Sequence, residues 1–217
     1  TGYDTEEAER RGRPILRHPV KAIEALGLTA DDIDDVIITH LHYDHAGTLG
    51  SFPRARFHVQ PAEMAYATGP CMCHGALRHP FTVGHVVEMV RHVYSGRVVF
   101  HDGDAEVAPG VTVHKTGGHS RGLQAVRVET ANGPICLASD ASHMYENFLK
   151  GKLFPIVADV AIASCFESDA GTGVAYRWTA DDATPITLDA VSMTRRRLQL
   201  AGRALTPGVM HRLQVRA

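Results

Sequence analysis

An α+β fold is predicted by three features of the amino-acid sequence. Apolar stretches end on chemically versatile residues three times: Val36-Ile37-Ile38-Thr39 before His40, Val111-Thr112-Val113 before the turn to His119, and Ile135-Cys136-Leu137 before Asp140. The chain from Val98 to Leu137 is broken into short runs by Asp102-Gly103-Asp104, Pro109-Gly110 and Asn132-Gly133, the pattern of strands joined by tight turns. Two stretches, Pro19–Leu26 and His85–Tyr94, carry apolar residues at helical spacing instead.

Taken in order, Pro19 to Leu26 reads as a short helix with Ala22, Ile23 and Leu26 on one face and Gly27 as its stop. The strand at Val36 follows, then the loop from His40 to Gly47. Arg54 to Gln60 reads as a strand, and Pro61 to Ala67 as a helix with proline in its first turn, where the missing N–H costs nothing. Cys71 to Val83 reads as a loop able to cover a site. In the helix from His85 to Tyr94, Val86, Val87, Met89, Val90 and Val93 are expected in the core, and His85 and His92 in solvent. Asn132-Gly133 between alternating stretches signals a hairpin, and His101 and His114 are expected to be structural.

His40-Leu41-His42-Tyr43-Asp44-His45 places four potential metal ligands in six residues. Imidazole and carboxylate at this spacing suit zinc or a similar divalent ion. In an extended loop His40 and His42 project to one side and grip one ion, leaving Asp44 and His45 for a second ion nearby. A histidine-rich surface loop is the plain alternative, since the chain has 14 histidines. The Gly117-Gly118 pair lets the backbone bend sharply and brings His119 to a site. Three strand ends of one sheet converge readily, which is how a rigid scaffold presents ligands on loops. Cys71-Met72-Cys73-His74 matches no standard structural zinc spacing.

His-x-His-x-Asp-His, then Gly-Gly-His, then a strand ending in Asp, resembles the metallo-β-lactamase superfamily, and within it the N-acyl homoserine lactonase group. The resemblance rests on Thr39–Gly47, Phe52–Met64, Gly117–Leu123 and Ala138–Phe148, and covers Thr1 to about Val160. It implies a four-layer αββα sandwich, and it implies that His40, His42 and His119 hold one metal ion, Asp44 and His45 the other, with Asp140 bridging. Two divalent ions, most simply Zn2+, would share a hydroxide that attacks the ester carbonyl of a lactone. Asp44 is counted with His143 and Tyr145 among the catalytic residues. In this group a tyrosine near the bridging aspartate hydrogen-bonds the lactone. Here the matching position is His143, and Tyr145 stands two residues further on. His143 is taken first as the donor, with Tyr145 as the other candidate.

Both ends depart from the family pattern. Thr1-Gly2 corresponds to the end of a family strand, so the opening strands are expected to be missing. One metallo-hydrolase domain is expected over 1–217, family-like over 1–160 and divergent or partly irregular over 161–217. Ser164 to Ala190 is polar with little periodicity. The family's last histidine ligand follows Pro-Gly. Here Pro207-Gly208 is followed by Val209-Met210-His211, so His211 arrives late.

A length of 217 residues and 44% hydrophobic content suit a soluble enzyme domain. A net charge of -2 argues against nucleic acid or an anionic membrane as partner. No apolar run approaches the ~20 residues that span a bilayer, and the opening residues do not read as a signal peptide. A cytoplasmic protein with reduced thiols is expected, acting on a small lactone or ester. A homodimer is left open. A thioester or phosphodiester hydrolase of the same superfamily, and an inactive truncated metal-binding relative, stand as alternatives.

Overall fold

The computed structural model describes residues 1–144, 147 and 154–159, together with three short strands at 177–179, 185–186 and 214–216. Tyr145 and His211 lie outside the described residues, as does most of the Ser164–Ala190 segment. The chain forms two compact units. One comprises Thr1–Lys115 and Ser120–Ser139, the other Thr116–His119 and Asp140–Ala217.

The first unit opens with a helix that the sequence reading did not foresee, α1 (Thr5–Arg11). Its capping is nonetheless written locally. The Asp4 side chain accepts from Glu7 N, acidic residues fill the first turn and Arg10 and Arg11 the last, each charge complementing the helix dipole. The expected helix after Pro19 is α2 (Pro19–Glu24), entered through a His18 side-chain cap.

Three strands form a parallel sheet in the order β1 (Asp35–Ile37), β2 (Arg56–Val59), β3 (Val98–Phe100). Val36 faces Phe57, and Phe57 faces Val98. Both pairings are parallel. The connections explain it: the long ligand loop returns β1 to a parallel β2, and helices α3 (Pro61–Ala67), α4 (Gly75–Arg78) and α5 (Val83–Tyr94) return β2 to a parallel β3. Crossovers of this length are what parallel pairing needs. The expected loop from Cys71 to Val83 thus contains α4, preceded by a 3-10 turn at Pro70–Cys73.

Helix α5 corrects three expectations. His85 is buried and its Nε2 lies 2.9 Å from Asp4 Oδ2. The His92 ring stacks on Phe57, with centroids 4.6 Å apart. Val87, in contrast, is exposed. The buried face runs through His85, Val86 and Met89, so helical phase places Val87 on the outer side. A buried imidazole is tolerated at position 85 because Asp4 supplies its partner.

The second sheet is antiparallel, in the order β4 (Ala105–Ala108), β5 (Val111–Lys115), β6 (Gln124–Val128), β7 (Ile135–Leu137). The predicted turns join it: Gly110 has φ 75 between β4 and β5, and Asn132-Gly133 lies in the β6–β7 hairpin. Buried glutamines tie the two sheets. Gln124 Nε2 donates to Ile38 O at 2.9 Å and His58 O at 3.0 Å, while Gln60 Nε2 donates to Gln124 Oε1 at 2.8 Å. Around them Ile38, Leu41, Leu49, Phe57, Val59 and Met89 make the core.

His58 Nε2 donates to Asp35 Oδ1 and its Nδ1 pairs with His101 Nε2, each at 2.8 Å. His114 lies 3.1 Å from Asp104. In the second unit, β8 (Arg177–Thr179) pairs antiparallel with both β9 (Pro185–Ile186) and β10 (Gln214–Arg216). Strands therefore occur within the segment read as irregular. Among the described residues no helix is long and apolar enough to cross a membrane.

Candidate metal centre

Each unit carries candidate ligands. In the first, β1 delivers the chain directly into the loop that holds His40, His42, Asp44 and His45. His40 and His42 are buried and Leu41 between them is fully so. The His40 ring lies 4.5 Å from that of His42 and 4.1 Å from that of His45, centroid to centroid. His45 N and Ala46 N both donate to His42 O, at 3.0 and 3.2 Å. The loop is thus a turn from His42 onward rather than extended throughout, and this turn brings His45 back to His40. Asp44 Oδ1 is 3.8 Å from His45 Nε2.

The neighbours of the loop hold it still. Phe81 meets His42 edge-on at 4.6 Å, and Tyr43 N donates to Pro80 O at 2.8 Å. The Arg11 guanidinium lies 3.7 Å above the Tyr43 ring and Arg13 bonds its hydroxyl. Burial, followed by the nearby Asp44 carboxylate, pushes the Tyr43 phenol above its ordinary pKa, so it remains a neutral aromatic wall.

Glu63 was not singled out from the sequence, yet it is fully buried and organises two loops. Its Oε1 accepts from Leu41 N at 2.8 Å. Its Oε2 accepts from Ser120 Oγ at 2.5 Å and from Gly122 N at 2.8 Å. Gly122 passes so close to α3 that an added Cβ would lie 2.2 Å from Glu63 N. A glutamate in an ordinary helical segment gives little local signal. Only its place on the inner face of α3 reveals the role.

In the second unit, Gly117 and Gly118 adopt φ 66 and 84, values that favour glycine. The turn they make presents a buried His119. Its Nδ1 donates to Ile156 O at 2.7 Å, and Ala158 N closes the turn on Gly118 O at 2.9 Å. A carbonyl can only accept, so Nδ1 carries a proton and Nε2 is turned to other duty, the orientation typical of a ligating histidine. Asp140 follows Ser139, whose φ of 50 is the one left-handed non-glycine value among the described residues.

Asp140 Oδ2 lies 3.2 Å from His119 Nε2 and 3.2 Å from His143 Nε2. The three residues offer ligand atoms within 4.8 Å of one another. His143 stacks on Phe154 at 3.7 Å and meets the His119 ring at 4.7 Å. The first unit therefore gathers His40, His42 and His45 with Asp44 beside them, and the second gathers His119, Asp140 and His143. Imidazole nitrogens and carboxylate oxygens on buried, hydrogen-bonded frames are the donor set of zinc and similar ions, so the residues present fit such a group. Cys71 and Cys73 are free thiols on the 3-10 turn.

The family model for the metallo-beta-lactamase superfamily matches residues 1–202. An N-acyl homoserine lactonase of Bacillus sp. is 33% identical over 130 residues, covering 59% of this chain and 46% of that protein. The N-acyl homoserine lactonase of Agrobacterium fabrum is also 33% identical over 130 residues, covering 58% of this chain and 46% of its own length. This chain spans about half the length of the curated relatives it matches.

Among solved structures, an N-acyl homoserine lactone hydrolase with the product N-hexanoyl-L-homoserine at its catalytic metal centre is similar with TM-score 0.54 and 32% identity. The likeness covers 66% of this chain and 52% of that one. A probable metal-dependent hydrolase from Staphylococcus aureus has TM-score 0.62 over 75% of this chain and 58% of its own, at 20% identity. That last likeness is one of fold alone.

Proposed function

The chain belongs to the metallo-beta-lactamase superfamily, and from that premise we propose that it is a metal-dependent hydrolase that opens the ester ring of a lactone, N-acyl homoserine lactone foremost. It has the superfamily's α+β sandwich fold. The observation that carries the proposal is Asp140, whose Oδ2 stands at 3.2 Å from two imidazole nitrogens. A carboxylate placed so is suited to bridging cations.

The ligand assignment follows the resemblance. His40, His42 and His119 would hold one ion and Asp44 and His45 the other, with Asp140 shared between them. His211 is the candidate last ligand and lies outside the described residues. Divalent ions held there would supply a water of near-neutral pKa and a Lewis acid for the ester carbonyl. The chain's own part is positioning. Glu63 fixes the loop between His40 and His42 through Leu41 N, and Ile156 O fixes the His119 tautomer. The hydrogen bond to the substrate carbonyl falls to the segment after Asp140, to His143 or to Tyr145. Residues 1–217 act in this reading as one metallo-hydrolase domain.

Elemental analysis of the purified protein together with a lactone panel tests the proposal, ring opening being followed by the acid it releases. Bound zinc with lactone turnover is the expected result, with His42→Ala abolishing turnover and lowering the zinc bound. Full activity of His42→Ala with unchanged metal would sink the assignment. Zinc binding with turnover of thioesters or phosphodiesters, and none of lactones, would transfer the chain to another branch of the superfamily. A folded protein that binds no zinc would be an inactive relative.

A further inference from the structure

We infer that His143 is a metal ligand, with its Nε2 directed to the same ion as Asp140, and not the group that hydrogen-bonds the substrate. The inference rests on the metal-dependent reading above and decides a point that reading leaves open.

Geometry carries it. Zinc bonds to imidazole nitrogen and carboxylate oxygen run about 2.0–2.1 Å, so two ligand atoms at a tetrahedral angle lie roughly 3.3 Å apart. Asp140 Oδ2 makes that spacing twice, 3.2 Å to His119 Nε2 and 3.2 Å to His143 Nε2. The third edge closes too, since all three ligand atoms fall within 4.8 Å of one another. A donor that serves a substrate carbonyl should point its N–H into open space. The His143 Nε2 instead points at the carboxylate expected to bridge the metals.

The supports of the ring are those of a ligand as well. His143 lies flat on Phe154, with 10° between the planes and centroids 3.7 Å apart. It meets His119 edge to face at 4.7 Å, and its side chain is only 19% exposed. His119 is itself locked through Nδ1 by Ile156 O. Two imidazoles with restricted rings flank one carboxylate, the preorganisation that lowers the cost of binding an ion. Sequence spacing agrees: Asp140 and His143 are three residues apart across the Ser139–Ala141 3-10 turn and its exit, which returns a side chain toward the first. The substrate hydrogen bond then passes to Tyr145.

The test is zinc binding, read by competition against a chromophoric chelator, with the visible spectrum of the Co2+-loaded protein as a report on ligand geometry. His143→Phe keeps a flat ring against Phe154 and removes both ring nitrogens. His143→Gln serves if the phenylalanine variant does not fold, and His143→Cys returns a ligand atom. Loss of one ion, or a weakening of the looser zinc by roughly tenfold or more, is expected for the first two variants. A changed Co2+ spectrum should accompany it, with partial recovery of zinc in His143→Cys. Parent-like zinc content, affinity and Co2+ spectrum in His143→Phe, with turnover alone reduced, would overturn the inference and restore the donor role. If the parent itself binds no zinc, the metal-dependent reading fails first and this inference with it.

Discussion

Replacing Gly122 by alanine probes how tightly Glu63 binds the two loops together. An added Cβ would stand 2.2 Å from Glu63 N, 2.4 Å from its Cβ and 2.5 Å from its Cα. Two of these are backbone atoms of α3, so no side-chain rotation relieves the clash. Reaching even a 3.4 Å contact requires a retreat of 3.4 − 2.2 = 1.2 Å. Such a movement stretches the 2.8 Å bond from Gly122 N to Glu63 Oε2 and disturbs the 2.5 Å bond from Ser120 Oγ. Overpacking of this kind costs about 1–3 kcal/mol, and a hydrogen bond to a buried carboxylate contributes about 1.5–3 kcal/mol.

The sum, about 2.5–6 kcal/mol, is a large part of the 5–15 kcal/mol typical of a folded domain. Urea unfolding at neutral pH measures it as a lower midpoint with the slope unchanged. Gly84→Ala is the control. Nothing lies within 4 Å of its added Cβ and it stands in the first turn of α5, so a change between zero and about 1 kcal/mol in favour of folding is expected. A Gly122→Ala destabilisation below about 1 kcal/mol would refute the close-packed account of Glu63.

Gln124→Leu removes the donor to Ile38 O and His58 O and the acceptor for Gln60, and should cost about 2–4 kcal/mol in the same urea assay. Burial pushes the Glu7 carboxyl up, but hydrogen bonds from Arg10, Arg11 and Thr82 outweigh it and hold its pKa at about 2 against an ordinary 4.5. A carboxyl lowered on folding stabilises the protein fully above pH 4.5, and that contribution disappears as pH falls through about 2. Such a shift is worth at most about 3–4 kcal/mol, and the exposed Arg10 trims it to about 1–2. Glu7→Gln should therefore flatten the acid limb of stability against pH, and an unchanged limb would dismiss the ion pair as a contributor. Burial, then the neighbouring His58, lowers the pKa of His101 below 6.5. The unfolded chain takes up that proton first, so stability is intact above pH 6.5 and falls below it. His101→Gln should lose less stability than the parent between neutral pH and the pH 5 range, measured by urea midpoints.

Much of the architecture can be read one element at a time. Pro61–Ala67 is a helix with the predicted bounds, because proline at the first turn and the residues after it act locally. The Asn132-Gly133 hairpin and the Gly27 stop are equally local, Gly27 taking φ 78. The signals for α1 are local too: Asp4 at its cap, acidic residues in its first turn and Arg10 and Arg11 in its last. Val87 shows where periodicity is too coarse: Val86, Val87, Val90 and Val93 are all expected in the core, and helical phase alone decides which of them face it.

The sequence by itself determined the identities of the candidate ligands and their order along the chain. Ligand chemistry belongs to the residue type, and spacing within a six-residue loop needs no partner from elsewhere. Only the tertiary structure decided that β1, β2 and β3 run parallel, that His85 is buried against Asp4, and that Glu63 holds both Leu41 and Gly122. Those choices join residues 81, 22 and 59 positions apart. Contacts at such range exist only once the chain has closed its loops, where burial leaves each polar group to find its partner among whatever side chains the fold has brought near.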